Sequence, residues 1–251
     1  MNAPINTILN ETISATVNHA QLIKTQLLIS VTTTEEAQIA LENGADIIDL
    51  KEPSLGALGA LPIATIQTIV TYVKNTKNTD IKLTSATIGD LPMEPELLLA
   101  HVAKLAATGV DIIKIGFFET DDYQPCLERL KSLTQAGVRL MAVFFAEITY
   151  PQGLIAAIKH AGFMGIMLDT ANKNGLTLLD YYSYKQRVEF AEAILGHDLQ
   201  FGLAGSLKLQ HVTLIKELNP TYIGFRGGVC DDNQRNLALD AARIKAVRQM
   251  V

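Results

Sequence analysis

Eight short apolar runs recur through this chain, each followed by a stretch of helical character, at a spacing of roughly 25 to 30 residues. That repetition constrains the fold more than any single motif. A strand that is followed by a helix and then another strand returns beside the first as a parallel neighbour. The first unit sets the pattern. Leu27 to Val31 reads as a strand, Thr32-Thr33-Thr34 with Glu35 and Glu36 supplies hydroxyl caps and first-turn acids, and Asn43-Gly44 supplies the stop. Further strands are expected at 45–51, 82–87, 111–116, 139–145, 165–170, 200–205 and 222–226. The intervening helices are expected from about Pro62 to Lys74, up to Thr108-Gly109, from about Tyr123 to Ala136, up to Ala161-Gly162, through Ala193, and at about 207–218 and 235–249.

Eight such units are the count of an α/β TIM (β/α)8 barrel, and 251 residues suit one barrel. An open doubly wound sheet is the alternative. Against it, no GxGxxG follows the first strand and no P-loop pattern occurs anywhere. Residues 26–251 are read as the barrel domain, and residues 1–25 as an N-terminal extension with Ile5, Ile8, Leu9, Ile13 and Val17 at partly helical spacing. A net charge of -5 lacks the basic excess of a nucleic-acid binder. No apolar run is long enough to span a membrane. Cys126 and Cys230 are far apart and form no CxxC. The five histidines are scattered, without HxH or HExxH spacing. The expectation is a cytoplasmic protein, without metal or cofactor, acting on a small molecule, with homo-oligomerisation open.

The stretch Asp46-Ile47-Ile48-Asp49-Leu50-Lys51-Glu52-Pro53 begins as a buried strand and ends at a proline that cannot continue a ladder. Strand alternation puts Ile47, Asp49 and Lys51 on one face, so Asp49 and Lys51 are expected as neighbours at the strand's carboxyl end. A structural ion pair is one reading of them. Barrel sites are built at carboxyl strand ends, however, and there Lys51 is joined by Lys114 of the fourth strand, Asp169 of the sixth and Lys173 just beyond. Two close amines and carboxylates suit imine chemistry. A neutral amine attacks a carbonyl, and a second amine supplies acid/base capacity while discouraging protonation of the first. Asp49 and Asp169 are candidates to orient the amines, although an adjacent carboxylate by itself pushes a lysine pKa upward. Gly205-Ser206 after the seventh strand and Arg226-Gly227-Gly228 after the eighth lie where barrels bind phosphate; simple turn punctuation is the alternative for these glycines.

In order and spacing, the segments DIIDLKEP, SLGALGA, SATIGDLP, DIIKIGFF, MLDTANKNG, FGLAGSLK and GFRGGVC resemble the (5-formylfuran-3-yl)methyl phosphate synthases of methanofuran biosynthesis, from about Leu27 to the C-terminus. The resemblance implies a TIM-barrel lyase that joins, dehydrates and cyclises two molecules of glyceraldehyde 3-phosphate with loss of one phosphate. By motif, it implies Lys51 as the Schiff-base lysine and Lys114 as the general base, with Asp49, Asp169 and Lys173 in the same pocket. Residues 1 to about 25 have no counterpart in the short archaeal members, and the loop after Lys51 is shorter than theirs. A class I aldolase on phosphorylated sugars, or a barrel that binds a phosphorylated metabolite without turnover, are the competing readings.

Overall fold

The computed structural model describes residues 24–76 and 82–251, so the helical spacing read in residues 5–17 lies outside the described residues. Eight parallel strands close into a ring in chain order: β1 (Gln26–Val31), β2 (Ile47–Leu50), β3 (Leu83–Thr87), β4 (Ile112–Gly116), β5 (Leu140–Phe145), β6 (Gly165–Asp169), β7 (Gln200–Leu203) and β8 (Tyr222–Phe225). The ring is sealed where β8 pairs back onto β1, with Gln26 opposite Tyr222 and Ile29 opposite Phe225. The expected TIM barrel is therefore the observed fold. Around it run α1 (Thr34–Glu42), α2 (Ile63–Asn75), α3 (Pro95–Ala106), α4 (Gln124–Gln135), α5 (Leu154–His160), α6 (Leu178–Tyr181), α7 (Tyr184–Leu195), α8 (Val212–Lys216) and α9 (Ala241–Met250). Among the described residues, no helix is long and apolar enough to cross a membrane.

Alternation along each strand divides the apolar residues between two cores. Ile47, Ile112, Met141, Val143 and Met167 point inward and fill the barrel below the mouth. Ile48, Leu50, Ile113, Ile115 and Leu168 point outward and pack under the helices. Each such side chain contributes roughly 1.5–3 kcal/mol on full burial. The amino-terminal face carries the carboxylates that clamp strands together. Asp46 accepts the backbone N–H of Leu27 at 2.8 Å and pairs with Arg248 at 2.5 Å, while Asp111 accepts that of Thr84 at 2.8 Å. These two acids serve stability, at the end of the barrel opposite the mouth.

The last two helices are shorter than the sequence suggests. In place of 207–218 there is a single 3₁₀ turn at Leu209–His211 followed directly by α8, because Lys208 is extended (φ -127°, ψ 167°) and holds the start back to Leu209. In place of 235–249, α9 starts at Ala241, capped by the Asp240 carboxylate, which accepts the N–H groups of Ala242 and Arg243. The preceding residues are committed elsewhere: Asp232 and Asn233 are left-handed, and Cys230 bridges antiparallel to Leu239.

Candidate active site

Three even-numbered strands deliver ionisable groups to one mouth by the same alternation that builds the inner core. Ile47, Ile112 and Met167 face inward, so two residues further on Asp49, Lys114 and Asp169 do too. Register then decides what surrounds Asp49. Its neighbours across the ladder are Ser30 on β1 and Ser85 on β3, and both hydroxyls donate to it, at 2.8 Å and 2.6 Å. Lys114 completes the cluster with an ammonium 2.6 Å from Asp49 Oδ1. All four side chains are buried. Burial works to raise the Asp49 carboxyl, but the Lys114 and Lys51 charges and the hydrogen bonds outweigh it and hold the group below the usual carboxylate range.

Lys51 stands differently. The expectation that Asp49 is its partner is not what the fold produces. Asp49 is drawn to Lys114 and the two serines, and the carboxylate facing Lys51 is Asp169, from across the barrel, at 4.0 Å. That separation is beyond hydrogen-bonding distance, and the Lys51 amine donates to no described residue. Asp169 is otherwise occupied: Lys173 lies 3.1 Å from its Oδ1, and the Thr170 N–H donates to the same oxygen at 2.7 Å. Lys173 is anchored further by the Thr170 carbonyl and hydroxyl, at 2.6 Å and 3.0 Å. Burial is the chief influence on Lys51. Asp169 opposes it, Lys114 adds to it, and the amine is brought down to about 8. Asp169 goes the other way: burial would raise it, yet Lys173 and Lys51 keep it well below the ordinary carboxylate range.

These groups open into a cavity of about 730 Å³. Six basic side chains line it (Lys51, Lys114, Lys173, Lys208, Arg226 and Arg235) against two acids, Asp49 and Asp169. A chain of net charge -5 thus presents a basic cavity, which favours an anionic ligand. At the β7 and β8 side the cavity is walled by backbone. Gly205 (φ 98°) and Ser206 turn in the left-handed region, and a Cβ on Gly228 would stand 2.1 Å from the Leu207 carbonyl oxygen, so only glycine lets the two loops meet. Gly205, Ser206, Gly227 and Gly228 all line the cavity.

Arg226 also borders the cavity, but its guanidinium is spent. It forms a fork-to-fork pair with Glu36 at 2.6 Å and 3.0 Å and donates to the carbonyls of Ser30, Leu237 and Arg235. All five N–H groups are thereby used, so the expectation that Arg226 itself grips a phosphate gives way to a role in holding the loop. Three contributors were not singled out from the sequence. Ser30 is visible only through the β1–β2 register. Glu147 accepts the N–H groups of Ala171 and Asn172, both at 2.8 Å, and fixes the loop that carries Lys173. Arg235 was read as the first residue of a helix at 235–249, but the helix starts only at Ala241 and leaves Arg235 in the preceding loop.

Solved structures share the architecture at low identity. A 3-hexulose-6-phosphate synthase from Salmonella typhimurium superposes with a TM-score of 0.63 at 15% identity, covering 90% of this chain and 98% of that one. A phosphoribosyl anthranilate isomerase from Thermus thermophilus gives the same score, identity and coverage. These likenesses concern fold alone. Sequence relatives are more specific. A Methylorubrum extorquens protein, provisionally named a (5-formylfuran-3-yl)methyl phosphate synthase, is 40% identical over 226 residues, 90% of this chain and 91% of the relative. The (5-formylfuran-3-yl)methyl phosphate synthase of Methanocaldococcus jannaschii is 31% identical over 237 residues, 89% of this chain and 98% of the relative. Residues 27–248, which hold both lysine–carboxylate pairs and all of the barrel strands but the first residue of β1, match the 4-HFC-P synthase family, and the chain belongs to it.

Proposed function

We propose that this protein is a carbon–oxygen lyase that converts two molecules of glyceraldehyde 3-phosphate into (5-formylfuran-3-yl)methyl phosphate, with release of one phosphate and two waters, in the biosynthesis of a methanofuran-type cofactor. Family membership and the names of the relatives support the product. The observation that carries the chemistry is the Lys51 amine: buried, without a hydrogen-bond acceptor among the described residues, and poised near 8 beside a basic cavity. A fraction of it is neutral at physiological pH.

In this reading the neutral Lys51 amine adds to the aldehyde carbon of one triose phosphate, and loss of water gives an iminium. The iminium withdraws electrons, so the adjacent carbon loses a proton, and the enamine so formed expels phosphate from the next carbon. The second triose phosphate moves a proton from C2 to C1 and so presents a ketone, and the terminal carbon of the dephosphorylated enol attacks that keto carbon as its oxygen takes a proton. The terminal hydroxyl of the second triose closes the ring on the carbonyl beside the imine, loss of two waters gives the aromatic furan, and hydrolysis of the imine frees Lys51 and the formyl group. Lys114 acts in the proton transfers. Its 2.6 Å contact with Asp49 fixes the amine at the mouth, where it can exchange protons with the substrate. Asp169, fixed by Lys173, stabilises the positive charge that develops on the Lys51 nitrogen. The glycine-walled side of the cavity is the place for a substrate phosphate, received by the backbone of Gly205, Ser206, Gly227 and Gly228.

Mixing the purified protein with glyceraldehyde 3-phosphate tests the reading. The expected result is an ultraviolet-absorbing furan aldehyde with one equivalent of inorganic phosphate per furan. A six-carbon bisphosphate without phosphate release would instead mark an ordinary class I aldolase.

A further inference from the structure

The geometry points to Arg235 as the charged group that grips a substrate phosphate at the β8 side of the mouth, an assignment that rests on the phosphorylated-triose reading above. Arg235 lines the same cavity as Lys51, Asp169 and the glycine wall. It rises directly beside that wall, since a Cβ on Gly227 would lie 3.6 Å from Arg235 Cβ. Its Nε is buried and has no hydrogen-bond partner among the described residues, so the guanidinium is not saturated by the protein around it. An anionic oxygen entering the cavity would meet the unused Nη N–H groups of the same side chain. One bond is made by the guanidinium among the described residues, from an Nη to the Gly56 carbonyl at 2.7 Å, in the loop that follows Lys51. This cavity-lining guanidinium therefore keeps donors to spare, where Arg226 has none.

The division of labour between the two arginines follows from one contact. Arg226 Nε donates to the Arg235 carbonyl at 2.8 Å, while the Arg226 fork is locked on Glu36 of α1. Arg226 is thus a positioning residue that fixes the backbone from which Arg235 reaches inward. The Gly56 bond gives Arg235 a second attachment across the mouth, so a phosphate held by it would sit between the β2 and β8 loops. Arg235 would then select a phosphorylated aldehyde over the bare one.

The test compares wild type with Arg235→Lys and Arg235→Gln in three readings: KM for glyceraldehyde 3-phosphate, the rate of borohydride trapping with unphosphorylated glyceraldehyde, and the shift in melting temperature caused by inorganic phosphate. Arg235→Gln is expected to raise KM for the phosphorylated substrate by about 10- to 100-fold, with Arg235→Lys falling between it and wild type. Trapping of unphosphorylated glyceraldehyde should change by less than about threefold, and the phosphate-induced shift seen in wild type should be lost in Arg235→Gln. Parallel losses with both aldehydes would overturn the assignment, because they would mean that Arg235 only holds the Gly56 loop. So would an unchanged KM, or a phosphate shift that survives in Arg235→Gln. The phosphate shift is independent of the reaction: if wild type makes no furan yet loses its phosphate shift on Arg235→Gln, the anion site stands and the furan-forming reading fails.

Discussion

Lys51 and Lys114 line one cavity yet stand in opposite relations to their carboxylates. Lys114 touches Asp49 at 2.6 Å, inside a cluster completed by Ser30 and Ser85, so its amine sits in a fully formed set of buried bonds. Lys51 faces Asp169 at 4.0 Å, and that carboxylate is already engaged by Lys173 and the Thr170 backbone. The same two residue types thus give a locked ion pair at one place and a loosely paired amine at the other. A lysine is a nucleophile only when it can shed its proton without losing strong bonds. The difference in acceptor geometry supports the proposed division, attack by Lys51 and proton transfer by Lys114.

Removing the two acids in turn should break the comparison most visibly. Asp49→Asn leaves Lys114 buried without its counter-charge, and the expected loss of stability in urea unfolding is about 3–5 kcal/mol. Asp169→Asn should cost less, about 1.5–3 kcal/mol. Lys173 keeps the Thr170 carbonyl and hydroxyl, and Lys51 merely deprotonates more readily. Equal losses from the two variants would mean that the pairs are not different in kind.

A smaller effect lies in pH. In the unfolded chain Lys51 titrates near the ordinary lysine value of about 10.4. In the folded protein it titrates at about 8. Between these values the unfolded state binds more protons, so this lysine makes stability rise with pH across the window, and its cost is fully present below about 8. The expected span is about 3 kcal/mol at most. It is read as the difference between wild type and Lys51→Met, which should favour the variant at neutral pH and shrink as pH climbs toward 10. A constant difference over that range would place the amine at an ordinary lysine value. The rate of imine formation should follow the same titration, rising to about pH 8 and then levelling.

Much of this site is legible from strand alternation alone. Once 45–51, 111–116 and 165–170 are read as parallel strands, Asp49, Lys114 and Asp169 must share the inward face near the carboxyl ends. What alternation cannot give is pairing across the ring. Asp49 lies two residues from Lys51, yet the β1–β2–β3 register places it between two serines and within reach of Lys114. Arg226 was legible as a cation after the eighth strand, but its partner Glu36 is 190 residues away in sequence and occupies its donors together with nearby carbonyls. Arg235 sits in a segment of left-handed turns and a lone antiparallel bridge, where no period marks which side chain turns inward. The two overlong helices, 207–218 and 235–249, failed for a related reason: the loops near the mouth recruit residues of good helical propensity into tight turns.

The most direct measurement is borohydride reduction during turnover of glyceraldehyde 3-phosphate, followed by peptide mapping of the reduced adduct. The contrast between the two pairs predicts a stable carbon adduct on Lys51, none on Lys114, and no adduct in a folded Lys51→Arg protein, because arginine stays protonated and forms no imine. An adduct mapped to Lys114, or turnover that persists in Lys51→Arg, would contradict it.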